Sequence, residues 1–269
     1  MTDAGPAHGP EARVRVVPGV DALRAEDGPL FAVVGVFDGL HRGHAYLLEQ
    51  LVEGARQRGA RPAVVTFDSH PDEVLVGKAP PLLLDPVERG ERLADGGVGV
   101  VVVQHFDDAL RRTEYDAFVR MITERTALTG LLMTPDAAFG FERRGTPDTL
   151  RALGERSNPT FEVVVVPSFT IDGRPISSSE IRRRVLAGDL AGAEELLGRR
   201  YSIVAQAGPR GDLAFGLPVA LPPDGAYEAE VLDRRSRSEP SPATAIIDGD
   251  RVRIQPSPST SGSLSITFV

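Results

Sequence analysis

Five short apolar runs alternate with helix-length segments along the first two thirds of the chain. The runs cover residues 30–36, 63–67, 98–103, 130–133 and 161–166. Amphipathic, helical spacing is found between them at 45–58, 86–93, 115–126 and 147–155. Strands that are apolar on both faces and alternate with helices are typical of a parallel sheet covered on both sides. The pattern therefore predicts an α/β fold with a doubly wound parallel sheet.

The composition changes near residue 200, where the predicted sheet has ended. Prolines then recur, and short alternating stretches such as 263–268 follow one another at close spacing. Short strands separated by turn residues indicate a small antiparallel β-barrel. We therefore expect three parts in chain order: a flexible leader over 1–13, an α/β domain over 14–200 and a small barrel domain over 201–269.

Composition also excludes several classes of function. The 269 residues include no cysteine, which excludes a disulfide scaffold, a thiol nucleophile and a cysteine-ligated metal. The net charge is −8, opposite in sign to that of most proteins that wrap a nucleic-acid duplex. No apolar run reaches the roughly 18 residues of a membrane span, and the N-terminus lacks the pattern of a secretion signal. We expect a cytoplasmic protein without nucleic-acid or membrane partners.

A glycine-rich turn follows the first apolar run and leads directly into an amphipathic helix. It reads Gly35-Val36-Phe37-Asp38-Gly39-Leu40-His41-Arg42-Gly43-His44. Free backbone N–H groups and the helix dipole make such a helix N-terminus a site for anions. His41 and His44 can both reach one phosphate there, and Gly43 lets the backbone approach it without a Cβ in the way. Because imidazole donors stabilise charge on phosphorus in a transition state, we predict a phosphate site rather than two surface histidines.

A second helix start, Ile176-Ser177-Ser178-Ser179-Glu180-Ile181-Arg182, follows the last predicted strand of the sheet. A serine N-cap with an acidic residue in the first turn is by itself an ordinary way to begin a helix. Its position favours a further role, because ligands of doubly wound sheets bind at the carboxyl ends of the strands. We therefore expect the serine hydroxyls and Arg182 to hold the β- and γ-phosphates of a nucleotide opposite the two histidines.

The HxGH and ISSSxIR motifs at this separation resemble those of the HxGH nucleotidylyltransferase superfamily. More narrowly, most of residues 14–200 is similar to the prokaryotic bifunctional riboflavin kinase/FMN adenylyltransferase (FAD synthetase) family. Two further motifs carry the resemblance, TFxxHPxxVL at 66–75 and FGxxxxGTxDTLR at 139–151. The resemblance implies a Rossmann-like sheet, transfer of AMP from ATP to the phosphate of FMN, and Mg²⁺ bound with the ATP. The ion would bridge phosphates and waters, without a metal site made of protein residues.

The resemblance also implies roles for individual residues. The catalytic residues would be His41, His44, Ser177 and Arg182. The nucleotide-binding residues would be Gly35, Val36, Phe37, Asp38, Gly39, Gly43, Arg143, Ser178, Ser179 and Ile181. The acceptor-binding residues would be Phe67, Asp68, His70, Pro71, Asp136 and Phe139. For His70 and Pro71, a role in forming a turn is an equal alternative.

Two departures from the family pattern bear on the expected substrates and activities. Family members usually have an aromatic residue shortly before the Phe139-Gly140 pair, where this chain has Ala137, so one wall of the flavin pocket is missing. In the C-terminal part the family's kinase motif GxPTAN corresponds to Gly216-Leu217-Pro218-Val219-Ala220-Leu221. Val219 and Leu221 cannot ligate a hard cation, which needs oxygen. We therefore expect a degenerate, shortened barrel that has lost kinase activity.

Three functions are compatible with these motifs. The first is FMN adenylyltransferase, giving FAD and pyrophosphate. The second is adenylyl or cytidylyl transfer, from ATP or CTP, to a different phosphorylated or phosphonate small molecule in specialised metabolism. The third is a non-catalytic nucleotide or flavin sensor, which the intact HxGH motif disfavours because a sensor needs no groups that stabilise a transition state.

Overall fold

The structure is a computed structural model that describes residues 14–208, 212–235, 239–258 and 262–269. The predicted leader over 1–13 lies outside the described residues. The chain divides into two compact units. Unit 1 consists of Met1–Val36, Leu48–Ser69 and Leu93–Pro167, and unit 2 consists of Phe37–Leu47, His70–Arg92 and Ser168–Val269.

A six-stranded parallel sheet forms the centre of unit 1 and confirms the predicted fold class. Its strands are β1 (Arg15–Val17), β2 (Leu30–Val34), β3 (Arg61–Phe67), β4 (Val100–Gln104), β5 (Leu128–Met133) and β6 (Glu162–Val165). They lie in the order β1-β4-β3-β2-β5-β6, and all neighbouring strands are parallel. The order reverses between β2 and β5, and ligands of such sheets bind at this kind of switch point. The residues that follow β2 are those of the HxGH motif.

The helices of the described chain are α1 (Arg42–Gln57), α2 (Asp72–Val76), α3 (Pro86–Asp95), α4 (Asp108–Arg111), α5 (Tyr115–Thr123), α6 (Pro147–Arg156), α7 (Ser178–Leu186) and α8 (Leu190–Leu197). α1 begins three residues earlier than the apolar spacing predicts, because its first turn is the polar HxGH motif. α6 is capped by Thr146, whose side chain accepts a hydrogen bond from the main-chain N–H of Thr149. None of the described helices is both long and apolar enough to cross a membrane.

A closed six-stranded antiparallel barrel in unit 2 confirms the second predicted architecture. Its strands are β9 (Ser202–Ala207), β10 (Asp212–Ala214), β11 (Gly225–Asp233), β12 (Ser241–Asp248), β13 (Arg251–Gln255) and β14 (Ser263–Phe268). Their order around the barrel is β10-β13-β12-β11-β14-β9. Along β14 the buried residues Leu264, Ile266 and Phe268 alternate with less buried polar ones, which is the two-residue period of a strand. A short hairpin, β7 (Thr170–Ile171) and β8 (Arg174–Pro175), precedes α7.

One hydrophobic core runs through unit 2. It joins barrel residues such as Ile254 and Leu264 to Ile181 of α7 and Leu196 of α8. Leu83, from the segment before α3, belongs to the same core. β9 begins one residue after the predicted start of the barrel domain, but unit 2 also contains chain from before that point. The boundaries of the predicted sequence domains stay predictions.

Candidate active site

The two motif histidines lie side by side at the start of α1, in unit 2. His41 immediately precedes the helix, and His44 is in its first turn. Their rings are stacked, with centroids 3.8 Å apart and an angle of 18° between planes. The main-chain N–H of His44 donates to Nδ1 of His41 at 3.3 Å. Because Nδ1 accepts in a neutral ring, the ring proton of His41 lies on Nε2, which remains a donor.

Both imidazoles are held in their neutral form. Burial and then the positive charge of Arg199 lower the pKa of His41 from 6.5 to about 4. Burial and the neighbouring His41 lower the pKa of His44 well below its usual value. Nδ1 of His44 is buried and has no hydrogen-bond partner among the described residues. The pair can therefore offer N–H donors to a phosphate while carrying no charge of its own.

Close packing defines the positions of the two rings. A Cβ at Gly43 would lie 3.1 Å from ring atoms of His41, so any larger residue would push against that ring. The buried ring of Phe37 lies 5.0 Å from that of His44. Phe37 and Leu40 have φ angles of 55° and 39°, in the left-handed region that is costly for side chains of this kind. Contacts from other segments must therefore hold this stretch of backbone.

A buried ion pair anchors the start of the motif. The Asp38 carboxylate accepts hydrogen bonds from the main-chain N–H groups of Leu83, at 3.0 Å, and Leu84, at 3.2 Å. It also accepts one from Nη2 of Arg182 at 2.7 Å, and Nε of Arg182 donates to the carbonyl of Pro81 at 2.6 Å. The two side chains are 2% and 9% exposed. Asp38 and Arg182 thus bind protein groups here, and their predicted roles at the nucleotide stay predictions.

The serines at the start of α7 have different partners. Ser177 is the N-cap, and its hydroxyl oxygen accepts a bond from the main-chain N–H of Glu180. As an acceptor it keeps its own hydrogen for donation to another group. The Ser178 hydroxyl donates to the carbonyl of Asp38 at 2.8 Å, so its hydrogen is engaged within the protein. Ser179 is exposed.

The starts of α7 and α1 adjoin each other. Cβ of Ile176 lies 3.9 Å from the position that a Cβ would take at Gly43. The fold therefore brings the second motif beside the first, as the sequence predicts. The side chain of Ile181 is fully buried in the core of unit 2, so only its backbone is left for the predicted nucleotide contact.

Arg199 is a residue of this site that was not predicted. Its guanidinium donates to the carbonyls of Gly39, at 2.8 Å, and Leu40, at 3.3 Å. These are the last two carbonyls before His41. The sequence motifs assign no role to Arg199, and the fold brings it to the HxGH segment.

His70 and Pro71, two predicted acceptor-binding residues, lie at the start of α2 in unit 2. Nδ1 of His70 accepts a hydrogen bond from the main-chain N–H of Asp72 at 3.2 Å, so the ring does support a turn. Burial lowers the pKa of His70, although the nearby Asp72 opposes this effect. The neutral ring then carries its proton on Nε2, which leaves a donor for a ligand.

Two predicted residues of unit 1 precede the HxGH loop, and their backbones are bound to the neighbouring strand. The N–H of Gly35 donates to the carbonyl of Val65 at 3.0 Å. The carbonyl of Val36 accepts from the Thr66 hydroxyl at 2.9 Å. These bonds hold the exit of β2, and the predicted nucleotide contacts of the two residues stay predictions.

Asp68 and Phe67, which end β3 in unit 1, contact the residues that follow β4. The Asp68 carboxylate lies 2.6 Å from Nδ1 of His105. The hydrogen bond and negative charge of Asp68 raise the pKa of His105. The ring of Phe67 meets that of Phe106 edge to face, with centroids 5.3 Å apart. The predicted acceptor residue Asp68 thus has a histidine neighbour, His105, that the motifs did not indicate.

The remaining predicted residues lie on the loop between β5 and α6 in unit 1. Nη2 of Arg143 donates to the carbonyl of Asp136 at 3.2 Å, which ties the two ends of the loop together. The ring of Phe139 packs on Phe118 in the core of unit 1. Ala137 also packs against that core. Their roles toward a nucleotide or acceptor stay predictions.

Comparison with known proteins shows the family to which this chain belongs. The family model for FAD synthetase matches residues 23–180, more than half of the chain. The chain therefore belongs to the FAD synthetase family, and the predicted resemblance is confirmed.

Named relatives agree with this assignment. The chain is 31% identical over 194 residues to a bifunctional riboflavin kinase/FMN adenylyltransferase of Pseudomonas fluorescens, covering 72% of this chain and 62% of that protein. A protein of the same name from Escherichia coli K12 is 30% identical over 211 residues, covering 74% and 67%. The match spans only 54% of the corresponding Listeria monocytogenes protein, at 31% identity over 63% of this chain. The chain thus spans less than two thirds of the Pseudomonas and Listeria proteins.

A solved structure shares the fold. The crystal structure of a macrolide-efflux protein from Streptococcus pneumoniae superposes with a TM-score of 0.77, covering 95% of this chain and 89% of that one. At 21% sequence identity, this similarity concerns the fold alone.

Proposed function

We propose that this chain is an FMN adenylyltransferase, which transfers AMP from ATP to the phosphate of FMN and produces FAD and pyrophosphate. Membership of the FAD synthetase family and the names of the relatives support these substrates. The observation that carries the proposal is the stacked, neutral pair of His41 and His44 at the N-terminus of α1. It presents donors where a helix already favours a phosphate.

The proposed reaction is a direct transfer. A phosphate oxygen of FMN attacks the α-phosphorus of ATP in line, and a new P–O bond forms. The bond from the α-phosphorus to the oxygen shared with the β-phosphate breaks, and pyrophosphate leaves with the electron pair. The second pKa of a phosphate monoester is about 6, so FMN is already ionised at neutral pH and needs no protein base. Histidines that stay neutral fit this reaction.

The protein's contribution is positioning and stabilisation of charge. Nε2–H of His41 donates to an oxygen of the α-phosphate, where negative charge grows during the transfer. His44, stacked on it, offers a second donor to the same group. The Ser177 hydroxyl at the start of α7 donates to the departing pyrophosphate. None of these groups forms a bond to phosphorus.

Magnesium fits this site as a ligand of ATP. Across the described ranges, no group of three or more acidic or histidine side chains could hold a metal ion. The one carboxylate of the motif, Asp38, already accepts hydrogen bonds from Leu83, Leu84 and Arg182. Mg²⁺ prefers phosphate and water oxygens, and when bound in this way it would neutralise part of the charge on the triphosphate.

We also propose that the barrel has no riboflavin kinase activity. Val219 and Leu221 occupy the positions where the kinase motif needs oxygen atoms, and Leu221 packs against the core of unit 2. The N–H of Ala220 donates to the carbonyl of Leu82, and the N–H of Leu82 donates to the carbonyl of Pro218, both at 2.8 Å. These contacts support a structural role for the segment.

The second candidate function is nucleotidyl transfer to a different phosphorylated or phosphonate acceptor. Ala137 supports it, because this position has no ring to stack on a flavin. Loss of one aromatic contact weakens binding by about 1 kcal/mol, or several-fold. That is too little to exclude FMN, so FMN remains the favoured acceptor.

A panel of substrate pairs distinguishes these functions. Purified protein with Mg²⁺ is given ATP or CTP together with FMN or another phosphorylated small molecule, and pyrophosphate release is measured. We expect release with ATP and FMN, together with FAD on chromatography. Release only with CTP or another acceptor supports the second candidate. Saturable binding of FMN and a non-hydrolysable ATP analogue, with no release from any pair, would identify a sensor.

A further inference from the structure

We propose that Arg199 is a positioning residue: it clamps the backbone of the HxGH segment and so sets the direction in which His41 and His44 point. Its effect on catalysis rests on the proposed function. The clamp itself is a property of the protein without substrate and can be tested separately.

The geometry of the clamp is that of one planar group binding two successive carbonyls. Nη2 of Arg199 donates to Gly39 at 2.8 Å, and Nη1 donates to Leu40 at 3.3 Å. Leu40 has a φ of 39°, which a leucine adopts only when its surroundings enforce it. A guanidinium presents its donors in a rigid fork and can hold both carbonyls at once. Residues 39 and 40 thereby set the entry of the chain into His41.

The position of Arg199 is itself fixed by α8. The helix is followed by its C-cap residue Gly198, whose φ of 76° turns the chain sharply. A Cβ at Gly198 would lie 2.9 Å from Cγ of Arg42, so the end of α8 rests directly on the start of α1. The packing of α8 on the start of α1 therefore places Arg199 beside the HxGH segment, and no ligand is needed for this.

Arg199 is held in surroundings that are unfavourable for a charge. Burial, and then the charge of Arg92, lower its pKa to about 10. Within the part of the chain that the structure describes, its Nε is buried without a hydrogen-bond partner. Burying a cation in this way costs free energy. The hydrogen bonds to the two carbonyls offset part of that cost.

The clamp has a consequence for His41 that can be measured. Besides burial, the positive charge of Arg199, after α8, lowers the pKa of His41, and His41 in turn lowers the pKa of His44, at the start of α1. Without Arg199 the segment is free to move, which hydrates His41, and a nearby positive charge is lost. Both changes raise the pKa of His41 toward 6.5.

The test compares Arg199→Met with a matched control, Arg200→Met, in the full chain. Arg200 is exposed, and its guanidinium lies 3.9 Å from Glu230. The pKa of His41 is measured without substrate from ¹H–¹⁵N spectra of the imidazoles, with the signal assigned by its absence in His41→Gln. We expect a rise of about one unit or more in Arg199→Met, a partial rise in Arg199→Lys and none in Arg200→Met. An unchanged value in folded Arg199→Met overturns the proposal.

Pyrophosphate release from ATP and FMN provides the second measurement. We expect kcat to fall about 30-fold in Arg199→Met while KM for ATP changes less than about threefold. An effect on KM alone contradicts a positioning role. If the wild-type protein releases no pyrophosphate with FMN, the proposed function fails, and the pKa of His41 alone decides whether Arg199 positions it.

Arg199→Lys keeps the proposal testable if Arg199→Met does not fold. Its single ammonium cannot hold both carbonyls in the geometry of a guanidinium. We expect a folded protein with lowered kcat and a raised pKa of His41. Wild-type values for both quantities would contradict the proposal.

Discussion

His41 and His44 are most useful to the proposed reaction because they are not charged. A neutral imidazole that donates through Nε2 binds a phosphate oxygen more strongly as negative charge accumulates on it. The ring centroids are 3.8 Å apart, and two positively charged rings at this distance would repel each other. The stacked arrangement is therefore favourable for neutral rings. The neutral state of the two histidines therefore affects both the rate of the proposed reaction and the pH dependence of stability.

Replacing either histidine should abolish most of the activity without unfolding the protein. Loss of one donor to a transition state costs about 3 kcal/mol, or roughly a hundredfold in kcat. We expect this fall for both His41→Gln and His44→Gln, measured as pyrophosphate release, with thermal unfolding close to wild type. Near wild-type kcat in both variants would remove these residues from the mechanism.

The lowered pKa of His41 also predicts how stability depends on pH. Its pKa is about 4 in the folded protein and about 6.5 when unfolded, so the unfolded chain binds more protons between these values. Stability should therefore be lost as pH falls from 6.5 toward 4, by about 3 kcal/mol from this group. Urea unfolding at several pH values measures the slope. It should be shallower in His41→Gln, and an equal slope would show that His41 is not held neutral.

The Asp38–Arg182 pair joins three segments: the HxGH segment, α7, and Leu83 and Leu84 before α3. Removing one partner leaves a buried charge uncompensated, which costs about 3–5 kcal/mol. We expect Arg182→Met to lower the free energy of unfolding by that amount. Arg183→Met removes an exposed pair with Glu180 on the same helix and should cost less than about 1 kcal/mol. Equal effects would mean that the buried pair is not an anchor.

Periodicity predicted the elements well where they are long or strongly apolar. Strands β2 to β6 lie within the predicted apolar runs or extend them by one or two residues. β1 was missed because its three residues are too few to show a period. It is in the sheet because it pairs with β4, a contact across more than 80 residues of chain.

Long-range contacts also explain which residues of the candidate site the sequence did not indicate. The motifs indicated His41 and His44 as neighbours, because the two histidines are three positions apart at one helix start. The partners of Asp38 lie 45 and 144 residues away, and Arg199 lies 159 residues from Leu40. Such contacts depend on tertiary structure and leave no periodic signal. The sequence thus indicated the two adjacent histidines better than the residues that hold their loop.

The C-terminal barrel is closed, but Val219 and Leu221 stand where the kinase motif has side chains with oxygen atoms. We expect no FMN from riboflavin and ATP, because Val219 and Leu221 offer no oxygen to a magnesium–nucleotide complex. Chromatography of a reaction with purified protein and Mg²⁺ tests this. FMN above the level of a protein-free control would show that the barrel has a different, functional site.

Labelled ATP shows whether the adenylyl group is transferred to FMN. Wild-type protein is incubated with FMN, Mg²⁺ and ATP carrying ³²P at the α-phosphate, and FAD and protein are then separated. We predict labelled FAD in amounts equal to the pyrophosphate released, unlabelled protein, and a rate reduced about a hundredfold in His41→Gln. Absence of labelled FAD at saturating FMN, or label bound to the protein, would exclude direct transfer of AMP to FMN.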